Sequence, residues 1–399
     1  MPLPRTAITL PPAPAGRSGW PWRASDSALS RYTGFVPRIS IVTPSFNQAA
    51  FLEETIRSVL LQGYPNLQYI VIDGGSTDGS VDILRKYEPW LDYWVSEPDR
   101  GQSHAIGKGL ARCDGTWFNW INSDDLLLPN ALACLATAAG ISSVTRIAAG
   151  TTQNLRDGSV FGSYTASVKP PSAATFFSLG VNQPGSLLHR ETVQSLGGVR
   201  EDLRLTMDLD LWLRVFLQHG PQAFVSVHEP VACYRYHTAS KTCSADDVFA
   251  LDEFALLFDL ATQCGVDTSV LAAVRQKSAI APTTFPTAFA PATPDAERAW
   301  LDRLLISDSL LFRALRSAHQ GPPSLGTEFT RLLERLRPAL VRHFPKDIRK
   351  IEARALIHAQ QVLGRPDTAM SRRALLRRPS PNTAMETVRL VANRFRTRR

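Results

Sequence analysis

The chain has 399 residues, 44% of them hydrophobic, enough for one large core or two moderate ones. Its net charge of +8 and pI near 9.4 suit an acidic partner: nucleic acid, anionic lipid or a phosphorylated substrate. A soluble enzyme with a basic tail satisfies the same numbers. The five cysteines (Cys113, Cys134, Cys233, Cys243 and Cys264) form no CxxC pair and no Cys/His ligand spacing, which argues against a disulfide framework or a zinc site.

Residues 1–36 are rich in Pro, Ser and Ala and read as a disordered or loosely packed leader. They lack the apolar block of a secretory signal, and no apolar run reaches about 18 residues. The expected location is therefore cytoplasmic, with peripheral contact at the inner face of the cell membrane as an option.

From Arg38 the texture changes. Ile39-Ser40-Ile41-Val42 reads as a buried strand that stops at Thr43-Pro44. Phe51 to Gln62 has helical spacing and ends at Gly63. Strand Gln68–Ile72, helix Val81–Tyr87, strand Tyr93–Val95, helix Ser103–Arg112 and strand Thr116–Ile121 follow. This alternation predicts an α/β fold with a parallel sheet and helices on both faces. Right-handed crossovers then bring the strand-end loops to one edge, where such sheets bind ligands.

Pro170 to Gly185 is less regular. A helix over Met207–His219 and a strand over Ala223–Val227 come next, then helix over Asp246–Gln276 and a Pro-rich linker over Ala281–Pro294. The rest reads as helix, and its last sixty residues carry fifteen Lys/Arg against four acids. The expected domains are 1–36 leader, 37–245 catalytic α/β domain, 246–294 helical extension and linker, and 295–399 basic helical region.

Four segments carry chemistry. Asn122-Ser123-Asp124-Asp125 follows a hydrophobic strand; its carboxylates suit a hard divalent cation that would bridge a diphosphate, or else cap the next helix. Asp73-Gly74-Gly75-Ser76-Thr77-Asp78-Gly79 lets a ligand approach the backbone, with Asp73 placed to accept from a base or sugar; a Gly-rich turn is the plainer alternative. Asp208, at a helix start, could take the proton of an acceptor hydroxyl or simply favour the helix dipole. In Tyr234–Lys241, His237 could complete a metal shell and Arg or Lys could clamp phosphate, or these could be surface residues.

Taken in order, the segments resemble the family 2 glycosyltransferases with the GT-A fold. The resemblance runs through Ile41–Asn47, Val71–Ser80, Ser96–Gln102, Trp120–Asp125, Met207–Arg214 and Arg235–His237, about half the chain. It implies a mostly parallel Rossmann-like sheet flanked by helices, followed by a helical C-terminal region. It also implies an inverting, metal-dependent hexosyl transfer from a nucleoside-diphosphate sugar, UDP-linked, to a glycan or lipid-linked hydroxyl in cell-surface polysaccharide synthesis. By likeness, Thr43, Pro44, Phe46 and Asn47 would line the nucleotide pocket and Asp73 would contact the base. Asp99, Arg100 and Gly101 would line the donor pocket. Asn122 would face the ribose, with Ser123 beside it and Asp125 in support. Asp124 would hold Mn2+ or Mg2+, His237 would reach the metal or diphosphate, and Asp208 would be the base.

The chain departs from the family pattern at Gly74, where a second acid is common, at Asn122, where the metal motif has its first acid, and at Met207, where Glu often precedes the base. A non-catalytic nucleotide-sugar-binding protein on the same fold is the alternative. A pyrophosphorylase would want a Gly-rich phosphate loop after the first strand, and a nicotinamide enzyme GxGxxG; both are missing. No nucleic-acid motif is present, so the basic tail reads either as a solvated helical surface or as a contact for anionic membrane or a lipid-phosphate acceptor.

Overall fold

A computed structural model describes residues 9–23, 36–167, 181–238, 240–241, 246–285, 294–306, 309–319, 324–363, 370 and 373. The chain divides into two compact units, Met1–Pro170 with Leu179–Ser244, and Pro171–Ser178 with Ala245–Arg399.

The first unit is built on strands β1 (Ile39–Ser45), β2 (Leu67–Asp73), β3 (Tyr93–Ser96), β4 (Trp117–Trp120), β5 (Leu126–Leu127), β6 (Ile147–Arg156), β7 (Ser159–Tyr164), β8 (Ser186–His189) and β9 (Phe224–Arg235). Their order across the sheet is β3-β2-β1-β4-β8-β6-β9-β5, with β7 paired to β6. β1 and β2 are buried on both faces along their whole length, which is why they read as continuous apolar runs.

The α/β expectation holds, and the sheet is mixed rather than purely parallel. β3, β2, β1 and β4 run parallel, while β8 runs antiparallel to both β4 and β6. β7 and β5 add further antiparallel edges, and β6 returns to parallel pairing with β9. The strand expected at Ala223–Val227 extends to Arg235, because β9 pairs first with Ile147–Ala149 and then, after register shifts, with Thr151–Leu155.

Helices α1 (Ala49–Leu60), α2 (Ser80–Tyr87), α3 (Gln102–Leu110), α4 (Ala131–Ala139), α5 (Arg190–Ser195) and α6 (Met207–His219) surround the sheet. The pleat of β1 sorts them. Ile39 and Ile41 share one core with Leu52, Ile56 and Val59 of α1, Leu84 of α2 and Leu132 and Leu135 of α4. Val42 faces the other way, against α3. A Cβ on Gly109 of α3 would sit 2.4 Å from a Val42 methyl, so only glycine lets helix and strand approach this closely.

The loose leader is corrected for residues 9–23, which are packed on the first unit. The buried Arg57 guanidinium donates to the carbonyls of Pro11 (2.7 Å), Pro21 (3.1 Å) and Trp22 (3.0 Å), and to Tyr87 Oη (2.9 Å). Trp20 Nε1 donates to Leu127 O at 2.8 Å. A buried guanidinium needs acceptors, and this segment's carbonyls supply them. Residues 1–8 and 24–35 lie outside the described residues.

The second unit is helical: α7 (Asp246–Gln263), α8 (Ala272–Arg275), α9 (Pro294–Ile306), α10 (Leu310–Ala318), α11 (Leu325–His343) and α12 (Ile348–Leu363). The helix expected across Asp246–Gln276 is broken after Gln263, where Gly265 turns the chain with φ 80°. Arg275 then ties back to α7 through a two-pronged pair with Asp259 at 2.7 and 2.8 Å. Trp300 and the edge-to-face pair of Phe312 and Phe329 fill the core. Most of the Pro-rich linker and nearly all residues beyond 363, the greater part of the basic tail, lie outside the described residues. Among the described residues no helix is long and apolar enough to cross a membrane.

Candidate functional site

The loop after β4 is moulded by helix α1. Thr55, Ser58 and Gln62 form a buried polar stripe at positions i, i+3 and i+7. Thr55 Oγ1 lies 2.9 and 2.8 Å from the carbonyls of Ser123 and Asp125. Ser58 Oγ accepts from Leu127 N, and Gln62 donates to Leu128 O while accepting from Leu132 N. Loop carbonyls and amides with no strand partner are thus satisfied by α1 and the turn that follows it. Ser123 is buried there, and its carbonyl is part of the loop's anchoring on α1.

Arg235, at the end of β9, closes the loop from the other side. Its N–H donates to Asp125 Oδ1 at 3.0 Å and its Nε to Asp124 O at 2.9 Å. Asp125 is 1% exposed and also accepts from Asn122 Nδ2 at 3.1 Å. Burial, and after it the Asp124 charge, pushes the Asp125 carboxyl well above the usual range, against the pull of the Arg235 and Asn122 donors. Two residues on, His237 Nε2 lies 2.9 Å from Asp124 Oδ2. The His237 ring packs on Phe51 of α1, centroids 4.6 Å apart, and the Arg235 guanidinium stands over the same ring at 4.8 Å.

Asp124 and His237 therefore converge from loops 113 positions apart. An anionic oxygen and an imidazole nitrogen are donors that Mn2+ accepts readily and Mg2+ accepts through the oxygen. Among the described residues no group of three or more His, Cys, Asp or Glu gathers as a closed metal cage. The pair fits a cation that takes its remaining ligands from water and a diphosphate.

The loops after β1 and β2 are knitted together. Asn47, at φ 51°, accepts from Thr77 N at 2.9 Å, and its own N–H donates to Ser76 Oγ at 2.7 Å. Asp73 is fully buried and accepts from Gly75 N, Ser76 N, Ser76 Oγ and Ser96 Oγ at 2.6–3.1 Å. Three of these bonds fall on Oδ2 and one on Oδ1. Asp73 thus shapes the loop where the base contact is expected. Thr43 is buried too, and its hydroxyl meets Tyr69 Oη at 3.0 Å. Pro44 is buried in β1, whereas the Phe46 ring is 59% exposed at the strand end.

Asp99 explains Gly74. A Cβ at that glycine would lie 2.9 Å from Asp99 Oδ2, so the Asp99 carboxylate fills the space of a side chain at 74. Asp99 Oδ1 accepts from Gly101 N at 2.7 Å, leading into α3. Arg100 is exposed and pairs with Glu201 at 2.6 Å.

Asp208 stands in the first turn of α6, its Oδ1 accepting from Leu209 N at 2.8 Å. The segment before α6 lies against the start of α3. Ser103 Oγ donates to Leu203 O at 2.9 Å, and Lys241 Nζ reaches both Arg204 O (3.3 Å) and Gln102 Oε1 (2.7 Å). Gln102 in turn donates to Asn122 Oδ1 at 2.6 Å. A polar chain thus runs from the approach to Asp208 to the Asp124 loop. Desolvation lowers the Lys241 ammonium below its usual range, opposed by the charges of Asp124 and Asp99. Lys241 closes the Tyr234–Lys241 segment in which Arg or Lys could clamp phosphate, and Gln102 closes the Ser96–Gln102 segment of the resemblance. The second acid of the motif, Asp210, is fully buried and held by Arg214 at 2.6 and 2.9 Å, an internal anchor.

Residues 40–142 match the family model described as Glycosyl transferase family 2. The match falls on the α/β core, in keeping with a GT-A-like fold, and ends before Asp208 and His237. TuaG of Bacillus subtilis, a glycosyltransferase assigned provisionally to teichuronic acid biosynthesis, is 37% identical over 97 residues, 23% of this chain and 38% of that protein. An uncharacterized glycosyltransferase of Rickettsia typhi is 28% identical over 234 residues, 56% of this chain and 71% of that protein. Among solved structures, the mannosyltransferase PcManGT of Pyrobaculum calidifontis, in complex with GDP-Man and Mn2+, aligns with a TM-score of 0.47 at 18% identity, over 82% of this chain and 87% of that one. The chain spans little more than a third of the length of TuaG, and 34% of an uncharacterized Mycobacterium tuberculosis relative that is 41% identical over 90 residues.

Proposed function

We propose that this chain is an inverting glycosyltransferase that moves a hexosyl group from a nucleoside-diphosphate sugar, UDP-linked, to a hydroxyl of a glycan or lipid-linked acceptor in cell-surface polysaccharide synthesis. The observation that carries the reading is the convergence of Asp124 and His237 at the carboxyl edge of the sheet, 2.9 Å apart, on a loop held from both sides. The family match over residues 40–142 supports the same class.

In this reading Asp208 takes the proton of the acceptor oxygen as that oxygen attacks the anomeric carbon. Attack opposite the departing diphosphate inverts the centre. Asp124 and His237 would hold Mn2+ or Mg2+, which when bound supplies Lewis-acid stabilisation of the leaving diphosphate. Asn47 and Phe46 border the nucleotide, the latter offering a ring face to the base. Lys241, drawn toward the site by Gln102, adds positive charge beside the phosphates. The basic C-terminal segment gives peripheral contact with anionic membrane, where a lipid-linked acceptor resides.

The test is incubation of the full chain with a panel of nucleoside-diphosphate sugars and Mn2+, following donor hydrolysis and transfer. Metal-dependent nucleoside diphosphate release that Asp208→Asn suppresses supports the reading. Nucleotide-sugar binding with no turnover under any condition would leave a binding protein instead.

A further inference from the structure

The N-terminal segment joins the site through one carboxylate. Glu54 of α1 is nearly buried, with 12% of its side chain exposed. Its Oε1 accepts from Arg17 Nη1 at 3.0 Å and Trp22 Nε1 at 3.3 Å. Its Oε2 accepts from Arg235 Nη2 at 2.7 Å. Arg235 is the residue that holds Asp124 through its carbonyl and Asp125 through its carboxylate. Trp22 is itself fixed, because its carbonyl accepts from Arg57 and its ring lies under the Arg57 guanidinium at 5.1 Å.

We infer that Glu54 is a positioning residue for the Asp124–His237 pair, and that residues 9–23 regulate that site by holding Glu54. The inference rests on the metal reading proposed above. Its physical basis is that a half-buried guanidinium needs a fixed counter-charge to keep one geometry. The Arg235 guanidinium donates to Asp124 O within the loop and to the Glu54 carboxylate outside it, and the latter sets its direction. Glu54 is in turn oriented by two donors from a segment some thirty residues upstream. When the segment lifts away, Glu54 loses two of its three bonds and Arg235 gains freedom. The loop carrying Asp124 then loosens, and the separation from His237 is no longer set. The segment is thus a strap whose docking tunes metal affinity.

The experiment uses the full chain with Glu54→Gln, Trp22→Phe, Arg17→Gln and the two doubles that combine Glu54→Gln with each of the others. Trp22→Phe keeps a ring beneath Arg57 and removes only the indole donor. Two quantities are read: amide hydrogen exchange at Asp125 and Arg235 without ligand, and UDP affinity by calorimetry with and without Mn2+. Glu54→Gln is expected to speed exchange at both amides and to weaken Mn2+-dependent UDP binding, each about tenfold, leaving metal-free UDP binding unchanged. Trp22→Phe and Arg17→Gln give smaller effects of the same kind, and these vanish in the Glu54→Gln background. Unchanged exchange in Glu54→Gln overturns the inference, as do single effects that persist in full in the doubles. Should Glu54→Gln fail to fold, the exposed Arg17→Gln decides by the same two readouts. If the unaltered chain shows no Mn2+-dependent UDP binding, the metal reading is what fails, and exchange still decides whether the strap holds the loop.

Discussion

Across 113 positions of sequence, His237 Nε2 and Asp124 Oδ2 meet at 2.9 Å. In the absence of a cation this is a hydrogen bond, and a cation must replace it. His237→Ala therefore leaves Asp124 in place with one ligand fewer, while Asp124→Ala removes the only charged one. Mn2+-dependent UDP affinity, measured by calorimetry, is expected to fall about tenfold for His237→Ala and to vanish for Asp124→Ala. Equal affinities with and without Mn2+ in the unaltered chain would reject both assignments.

Asp208 and Asp210 sit two residues apart on α6 and should fail in opposite ways. Asp208→Asn is expected to keep its melting temperature and donor affinity while transfer falls roughly 10²-fold or more. Asp210→Asn leaves the Arg214 guanidinium buried without its counter-charge and should cost about 3–5 kcal/mol in urea unfolding. Burial disfavours the Asp210 charge, and Arg214 and Arg200 favour it.

Gly109→Ala would normally favour a helix by about 1 kcal/mol. Here the new methyl meets Val42 at 2.4 Å in the packed face between α3 and β1. The expected net result is a loss of about 1–3 kcal/mol by thermal or urea unfolding. Pairing it with Val42→Ala should return part of that loss. A stabilised Gly109→Ala chain would mean that helix and strand lie farther apart.

Burial pushes the Cys113 thiol up to about 12, and the Cys134 and Cys233 thiols up to about 11. At pH 8 their thiolate fractions are on the order of 10⁻³ or below. Alkylation of the folded chain followed by mass spectrometry should leave these three unmodified for hours, with labelling appearing on addition of denaturant. Rapid labelling of Cys113 at pH 8 would contradict its buried setting.

The elements that sequence reading placed best were those whose pattern is local. Helix Met207–His219 is found at the bounds expected, since its apolar spacing, acidic first turn and terminal Gly220 all lie within fourteen residues. β1 to β4 were legible because each is a short apolar run closed by a turn. β6, β7 and β8 were missed. The small and polar residues of Ile147–Arg156 alternate poorly, and its partner Phe224–Arg235 is some eighty positions away. The acids of the site were visible, but not what surrounds them. Nothing near Asp73 in sequence says that Ser96 will donate to its carboxylate, and nothing near His237 names Asp124. The leader was misread because proline content suggested looseness, while Trp20 and Trp22 within it signalled attachment.

The stripe of Thr55, Ser58 and Gln62 bears on any attempt to move this chemistry elsewhere. Grafting the Asn122–Leu128 turn into another scaffold would carry the ligands without their mould. A helix presenting hydroxyl, hydroxyl and carboxamide at matching heights has to travel with it, or the transplanted acid will point wherever its new neighbours allow.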